Sequence, residues 1–207
     1  MNADDLASWI RHTAELVSAD ADRLTRLDAA IGDGDHGLNL DRGFRAAVEA
    51  LPADVPPGKV LITAGRAIVS KTGGASGPLY GTALRRAGKA MGDEGEVDAA
   101  GLGAALRAGL EGVVELGKAA EGDKTMIDAL APAVAAYEAA LAEGSGLAGC
   151  VRAAAEAAAK GADGTVPMRA RKGRASYLGA RSEGHMDPGA SSTALVLQAL
   201  ADVAGEG

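Results

Sequence analysis

Apolar residues recur at helical spacing in one segment of the chain after another, and no stretch alternates apolar and polar residues over more than four positions. Side chains at positions i, i+3 and i+4 share one face of an α-helix, so this spacing predicts amphipathic helices and argues against a sheet. Clusters of glycine and proline separate the segments. The pattern predicts an all-α protein of eight or nine helices in a single domain, residues 1–207. The predicted helices cover residues 2–17, 18–31, 38–51, 59–70, 79–91, 98–116, 126–142, 147–160 and 189–203, with an irregular loop over 161–187.

The composition indicates how such helices pack. Aromatic residues make up only 2% of the chain, while alanine and glycine are abundant. The core must therefore consist mainly of Ala, Leu, Val and Ile, and small side chains allow helices to approach each other closely. A chain of 207 residues is long enough to bury such a core. These features favour a compact helical bundle.

Charge and hydropathy exclude several classes of protein. The formal net charge is −7, and an acidic chain is poorly suited to nucleic acid, because that binding depends on Lys and Arg at the phosphates. No stretch approaches the roughly 20 apolar residues that a membrane-spanning helix needs, and the first ten residues do not resemble a signal peptide. Cys150 is the only cysteine, so no internal disulfide can form. We therefore expect a cytoplasmic protein with no nucleic-acid or membrane partner.

Three aspartates, Asp28, Asp33 and Asp35, fall within eight positions of the chain and are separated by glycines. Glycine lets the backbone turn sharply, so the three carboxylates can point to one place. Two carboxylates about 4 Å apart near a protein surface repel each other by about 4 kcal/mol, so a converging set requires a cation. Oxygen ligands without a nearby thiol favour Mg²⁺ or Ca²⁺ over zinc. The alternative is an acidic surface turn without a ligand.

Two other segments have the chemistry of a phosphate site. Residues 73–77 contain three glycines and precede a predicted helix, so their N–H groups and the helix dipole would attract an anion, with Ser76 as an added donor. Arg174 carries the planar guanidinium group that suits phosphate oxygens. The alternatives are a flexible turn between helices and a solvated basic loop. Next to a cation site, phosphate binding explains the turn better, because Mg²⁺ typically joins carboxylates to phosphate oxygens.

Four blocks of sequence together resemble one known family. They are the glycine-aspartate motif at residues 31–37, the glycine-rich turn at 73–81, the Gly-Asp-Lys-Thr-Met segment within 122–130, and residues 173–179 with 187–189. Their order and spacing are similar, over nearly the whole chain, to those of the nucleotide-binding L subunit of dihydroxyacetone kinase. The resemblance implies an antiparallel barrel of eight helices with a deep nucleotide pocket at one end.

The resemblance also implies a set of ligands. Asp28, Asp33 and Asp35 would bind two Mg²⁺ ions that bridge the phosphates of ADP or ATP. No general base is implied on this chain. The implied nucleotide-binding positions are His36, Gly37, Leu38, Asn39, Ala75 and Ser76 on the phosphate side, Gly117, Thr125 and Met126 on the adenine side, and Arg174, Asp187, Pro188 and Gly189 in a closing loop.

The family implies the partners in the same way. Dihydroxyacetone is bound covalently by a histidine of a separate K subunit, so this chain alone is expected to phosphorylate nothing. In one branch the K and L domains are fused and ATP exchanges. In the other, a free-standing L subunit retains ADP, which a subunit of the phosphoenolpyruvate phosphotransferase system rephosphorylates. A chain of this length resembles the second branch, and a homodimer is also expected.

Two alternatives to this assignment are open. The chain could be the nucleotide subunit of an ATP-dependent kinase for dihydroxyacetone or another small ketose, since the K subunit selects the sugar. It could also be an ADP-loaded regulatory module that binds a transcription regulator. The metal and phosphate residues would be the same in each case.

Overall fold

The computed structural model describes residues 1–205, and within that range the chain has eight α-helices, one 3₁₀ helix and no strand. The predicted all-α fold class is confirmed. Within the same range, no helix combines the length and hydropathy that crossing a membrane requires. That residues 1–207 form a single domain stays a prediction, and residues 206 and 207 lie outside the described range. The α-helices are α1 (Ala3–Ile31), α2 (His36–Glu49), α3 (Pro57–Lys71), α4 (Ser76–Met91), α5 (Ala99–Gly117), α6 (Ile127–Ala142), α7 (Leu147–Gly164) and α8 (Pro188–Gly205), and the 3₁₀ helix covers Arg174–Ser182.

The first helix is longer than the sequence pattern predicts. The prediction of two helices over residues 2–31 is wrong, because α1 runs without interruption for 29 residues. Ser and Asp are common N-cap residues, which is why Ser18 and Asp20 predict a helix start, but in the structure both side chains bind arginine side chains. The Ser18 hydroxyl accepts a hydrogen bond from Arg45 of α2 at 2.9 Å, and Asp20 forms an ion pair with Arg23 one turn later. Since neither caps the backbone, the helix continues past them.

The segment between α7 and α8 is more regular than predicted. Four residues assigned to the irregular loop extend α7 as far as Gly164. Farther along the same loop, nine residues form the 3₁₀ helix. Each of the other predicted helices is present, with ends that differ by up to three residues. We refer below to residues 165–187 as the α7–α8 segment.

The helices close into a ring. Each α-helix packs against the next one in the chain, and α8 packs against α1. Except for the α7–α8 segment the connections are short, and they reverse the chain direction, so neighbouring helices are antiparallel. Small residues permit close contact, since a Cβ atom on Gly65 of α3 would lie 2.7 Å from the carbonyl oxygen of Gly81 on α4. The interior holds mainly aliphatic side chains, and the indole N–H of Trp9 donates to the Val196 carbonyl at 2.8 Å, which joins α1 to α8.

His12 also links the first and last helices of the ring. Its Nε2 lies 2.9 Å from Asp202 Oδ2 on α8, and its Nδ1 lies 3.2 Å from Glu15 Oε2 on α1. Hydrogen bonds to these carboxylates, first that to Asp202, raise the pKa of His12 above its ordinary value. The contacts therefore contribute fully to stability below the unfolded-state pKa of about 6.5, and the contribution is lost as the pH rises through the folded-state pKa.

We expect His12→Gln to destabilise the protein in a pH-dependent way. Urea denaturation should show a loss of about 0.5–1 kcal/mol near pH 6, a modest value because these side chains are partly exposed, and a smaller loss near pH 9. In an Asp202→Asn background the same substitution should lose most of this pH dependence. An equal loss at both pH values would show that the charge on His12 has no part in the contact.

Candidate functional site

The antiparallel ring gathers the N-termini of four helices at one end of the barrel. α2, α4, α6 and α8 begin there, and α1 and α5 end there. These helix ends surround a cavity of about 610 Å³, which is large enough for a small-molecule ligand. Each helix N-terminus carries about half a positive charge. The four N-termini therefore favour an anionic group in the cavity.

The three aspartates of the glycine-rich turn converge at the rim of this cavity. One carboxylate oxygen of each of Asp28, Asp33 and Asp35 lies within 4.8 Å of the other two. Oxygens bound to a single Mg²⁺ or Ca²⁺ ion lie up to about 4–5 Å apart, so the spacing and the all-oxygen donor set fit a divalent cation. The cluster also lies at the C-terminus of α1, where the helix dipole favours positive charge.

Asp28 holds the turn in shape. Its side chain is 9% exposed, and Oδ2 accepts hydrogen bonds from the backbone N–H groups of Asp35 at 2.9 Å and His36 at 3.2 Å. It thereby caps the first turn of α2 from the end of α1. Gly32 leaves room for this carboxylate, because a Cβ atom there would lie 2.1 Å from Asp28 Oδ1. Gly34 adopts a φ of 73°, which non-glycine residues rarely reach.

Arg174 is the basic group in contact with the aspartate cluster. It lies at the start of the 3₁₀ helix in the α7–α8 segment, and its Nη2 is 3.0 Å from Asp33 Oδ2. Its side chain is 71% exposed, so the ion pair is screened by water and weak. The guanidinium group can therefore move to another anion in the cavity at little cost.

His36 belongs to a chain of hydrogen bonds beneath the glycine-rich turn between α3 and α4. Its Nδ1 lies 3.1 Å from the Ser76 hydroxyl and its Nε2 lies 2.9 Å from the Ser192 hydroxyl, which in turn lies 2.7 Å from the Tyr80 hydroxyl. Burial lowers the pKa of His36, against the opposing effect of Asp28 and Asp35. The neutral ring thus fixes Ser76 at the N-terminus of α4.

Asp187 lines the cavity just before α8 begins. Its carboxylate is 8% exposed and accepts a hydrogen bond from the Ala190 N–H at 2.7 Å, and its own N–H donates to the Thr165 hydroxyl at 2.9 Å. Burial raises the pKa of Asp187 to about 7, with a further contribution from Asp128.

The structure brings most of the predicted site residues to the cavity wall. Besides the three aspartates and His36, the predicted residues that line it are Ala75, Ser76, Gly117, Thr125, Met126, Arg174, Asp187, Pro188 and Gly189.

Three predicted residues, Gly37, Leu38 and Asn39, do not line the cavity. Gly37 packs against the backbone of α1, where a Cβ atom would lie 2.0 Å from the Ala21 carbonyl oxygen. Leu38 points outward and is 58% exposed. Asn39 is buried directly against Gly73, so it supports the glycine-rich turn from behind. Gly37 and Asn39 therefore pack behind the cavity wall, and Leu38 lies outside it.

The sequence patterns did not single out Lys124 or Asp128 as site residues. Asp128 accepts hydrogen bonds from the N–H groups of Gly122 at 2.6 Å and Thr125 at 2.8 Å, which fixes the loop before α6. Its position three residues after Thr125 is a spacing that side-chain capping uses, so a signal existed. Lys124 is buried and hydrogen-bonded to the α7–α8 segment, and no pattern in the sequence predicts those distant partners.

The chain is similar to several known proteins. Residues 30–202 match the family model described as the DAK2 domain. The ADP-binding subunit DhaL of the PEP-dependent dihydroxyacetone kinase of Escherichia coli K12 is 41% identical over 208 residues, an alignment that covers 100% of this chain and 99% of that protein. The ADP-binding subunit DhaL of PEP-dependent dihydroxyacetone kinase 1 of Listeria innocua is 45% identical over 197 residues, covering 93% and 92% of the two chains.

The fold is also similar to a solved structure. The dihydroxyacetone kinase of C. freundii in complex with AMP-PNP and Mg²⁺ superposes with a TM-score of 0.72 at 29% identity, over 95% of this chain. The matched region is 33% of that longer protein, so this chain spans about a third of its length.

Proposed function

The chain belongs to the DAK2-domain family, and from that premise we propose that it is the ADP-binding subunit of a dihydroxyacetone kinase driven by phosphoenolpyruvate. One observation carries the proposal. Three converging carboxylates lie at the rim of a cavity that four helix N-termini surround. A metal-bound diphosphate presents positive charge to the carboxylates and negative charge to the helix N-termini, so the site suits such a ligand.

The proposed metal ligands are Asp28, Asp33 and Asp35, which would hold two Mg²⁺ ions. When bound, Mg²⁺ neutralises charge on the phosphate oxygens during phosphoryl transfer. The fit of the residues supports this assignment, because Asp28 is fixed by its two backbone hydrogen bonds while Asp33 and Asp35 remain exposed to a ligand.

The nucleotide is proposed to lie across the cavity. Its phosphates would face Ser76, Arg174 and the N-termini of α2, α4 and α8 in the cavity wall, because helix N-termini favour anionic groups. Its adenine would contact Gly117, Thr125 and Met126 at the other side, where methionine adapts to the face of a flat ring. Pro188 and Gly189 form the wall between the two regions at the start of α8.

This chain contributes positioning and charge to the reaction. Phosphoryl transfer depends mainly on alignment and electrostatic stabilisation. We propose that the base and the ketose lie on a separate K subunit, and that a phosphotransferase-system subunit rephosphorylates the bound ADP in place. The cavity mouth is then the place where both partners must approach, because the phosphates lie there.

Arg174 can be used to test whether metal and phosphate bind to separate groups at the mouth of the cavity. We expect Arg174→Gln to strengthen Mg²⁺ binding to the nucleotide-free protein by up to about fivefold, because a weak competing cation leaves Asp33. The same variant should bind Mg²⁺·ADP about tenfold or more weakly, because a charged hydrogen bond to phosphate is lost. Calorimetric titrations with Mg²⁺ alone and with ADP in excess Mg²⁺ measure the two effects. Weakening of both would show that Arg174 only stabilises the fold around the site.

A reconstitution experiment tests the function. The purified chain is mixed with a K subunit and dihydroxyacetone, and either ATP or the phosphoenolpyruvate phosphotransferase chain is added. We expect product with the phosphotransferase chain, and native mass spectrometry should find ADP retained after dialysis. Product with ATP alone, together with an empty pocket after dialysis, would instead indicate an ATP-dependent subunit. No product in either arm, with tight binding to a transcription regulator, would indicate the regulatory module.

A further inference from the structure

The ammonium group of Lys124 lies in the interior of the protein. The side chain is 1% exposed, although lysine is almost never fully buried unless it is paired. Its Nζ donates hydrogen bonds to the carbonyl oxygens of Thr165 at 2.9 Å, Met168 at 3.1 Å and Ser182 at 2.7 Å, and also to that of His185. An ammonium group has three protons, so these four carbonyls share all of its donors.

All four acceptors belong to the α7–α8 segment. Thr165 and Met168 precede the 3₁₀ helix, Ser182 is its last residue and His185 follows it, so a single ammonium group joins both ends of the loop that carries Arg174. Other hydrogen bonds also close this loop, among them that from the Asp187 N–H to the Thr165 hydroxyl at 2.9 Å. The Ser182 hydroxyl accepts from the Ala170 N–H at 2.9 Å, and the Gly184 N–H donates to the Val166 carbonyl at 2.8 Å. Removal of the ammonium group would take one donor from each of these four carbonyls, two of which, those of Thr165 and Ser182, are bonded to it in the buried interior.

The backbone of Lys124 is bent so that its side chain points inward. Its φ is 62°, in the left-handed region of the backbone that residues other than glycine and asparagine rarely adopt. The hydrogen bonds from Gly122 and Thr125 to Asp128 hold that bend. As a result the ammonium group of Lys124 reaches the α7–α8 segment, while Lys124 lines the cavity together with Thr125 and Met126, next in the chain.

The partners of Lys124 are carbonyl oxygens and not carboxylates. Burial lowers the pKa of its ammonium group, while Asp187 and Glu183 oppose that effect from farther away. Rings of backbone carbonyl oxygens are also the ligands that proteins use for K⁺. The Lys124 ammonium thus occupies the kind of place that a monovalent cation takes, except that it is covalently attached to the loop before α6.

From these contacts we propose that Lys124 is a positioning residue that acts as a tethered monovalent cation. Its ammonium group gathers the carbonyls of the α7–α8 segment and so holds Arg174 at the mouth of the cavity, next to the loop that carries Thr125 and Met126. The expected consequence of this role is slow release of the nucleotide, and that consequence rests on the proposed function. The structural part can be tested without any nucleotide.

Hydrogen exchange of the nucleotide-free protein provides the first test. In Lys124→Met we expect the amides of residues 165–187 to exchange about tenfold or more faster, while those of α2 and α3 are unchanged. Lys160→Met is the matched control, because Lys160 is exposed on α7 and its removal changes the net charge equally. Unchanged exchange in the α7–α8 segment of a folded Lys124→Met variant would overturn the proposal, even if the protein binds ADP as proposed.

Chemical rescue separates the charge from simple packing. In Lys124→Ala, added propylammonium should restore slow exchange in the α7–α8 segment, whereas neutral propanol should not. The release of ADP, about tenfold or more faster in the variant, should slow again with the same amine. If the variant fails to fold in buffer, recovery of the fold that depends on propylammonium would support the proposal. Equal recovery with propanol, or none with either compound, would overturn it.

Discussion

The Asp33→Asn variant is expected to bind Mg²⁺·ADP about a hundredfold or more weakly than the wild-type chain, a loss of about 2.7 kcal/mol or more. Asp33 supplies one of three converging carboxylates, and it is exposed toward the mouth of the cavity. An amide of the same shape keeps the packing but removes the charge that a hard divalent cation requires. Since the metal joins protein to phosphate, its loss should remove most of the nucleotide affinity.

Thermal denaturation with and without Mg²⁺ and ADP measures this effect. At about a hundred times its Kd, a ligand stabilises a folded protein by about 2.7 kcal/mol, which corresponds to a rise in Tm of roughly 5–10 °C for a chain of this size. Wild-type protein should show that rise and Asp33→Asn should not. The control is Asp22→Asn, which removes the same charge from an exposed position on α1. A full rise in Asp33→Asn would show that the metal assignment is wrong.

The site explains how a chain of net charge −7 can bind an anion. Few basic side chains face the cavity, and Arg174 is already paired with Asp33. An antiparallel ring of eight helices places four N-termini and four C-termini at one end, and the N-termini of α2, α4, α6 and α8 there are the groups that favour an anion. The aspartates lie at the C-terminal end of α1, the end that favours a cation. The proposed metal ligands therefore lie where the C-terminus of α1 meets the N-terminus of α2, next to the proposed phosphate-binding groups.

Local patterns were sufficient to predict most of this fold. Helical spacing and glycine or proline breaks located every α-helix after α1, because amphipathic periodicity records burial directly, but they did not locate the 3₁₀ helix. The error at Ser18 and Asp20 has a physical cause. Their side chains are bound by Arg45 and Arg23, and nothing local in the sequence shows that such partners replace the backbone N–H groups of a new helix.

The site was predictable to the extent that its chemistry is local. Asp28, Asp33 and Asp35 converge because glycines separate them within one turn. In contrast, the partners of His36 and of Lys124 are distant in the chain, and only the closed ring brings them together. Burial of a lysine among carbonyl groups leaves no pattern in the sequence, since lysine in a polar loop is usually solvated.

The sequence predicts Gly37 as a phosphate-side residue, but in the structure this glycine allows α1 and α2 to pack closely. A larger residue at this position should therefore cause a large loss of stability. α1 and α2 touch at this point, and a Cβ atom on Gly37 would lie 2.0 Å from the Ala21 carbonyl oxygen and 2.6 Å from the Thr25 hydroxyl. A backbone oxygen in the middle of a helix cannot move aside alone. The two helices would have to separate, and overpacking of this kind costs about 1–3 kcal/mol, occasionally more.

We therefore expect Gly37→Ala to lower the free energy of unfolding by about 2 kcal/mol or more and the Tm by roughly 5 °C or more, despite the better helix propensity of alanine. Gly164→Ala is the matched control, because no heavy atom lies within 4 Å of its added Cβ and its φ is negative. That control should be neutral or more stable by up to about 1 kcal/mol. Urea denaturation measures both variants.

Separation of α1 from α2 also moves the N–H groups of Asp35 and His36 away from Asp28, so Gly37→Ala should weaken Mg²⁺·ADP binding as well. If Gly37→Ala were as stable as Gly164→Ala, the two helices would not be in the close contact on which the shape of the aspartate turn depends.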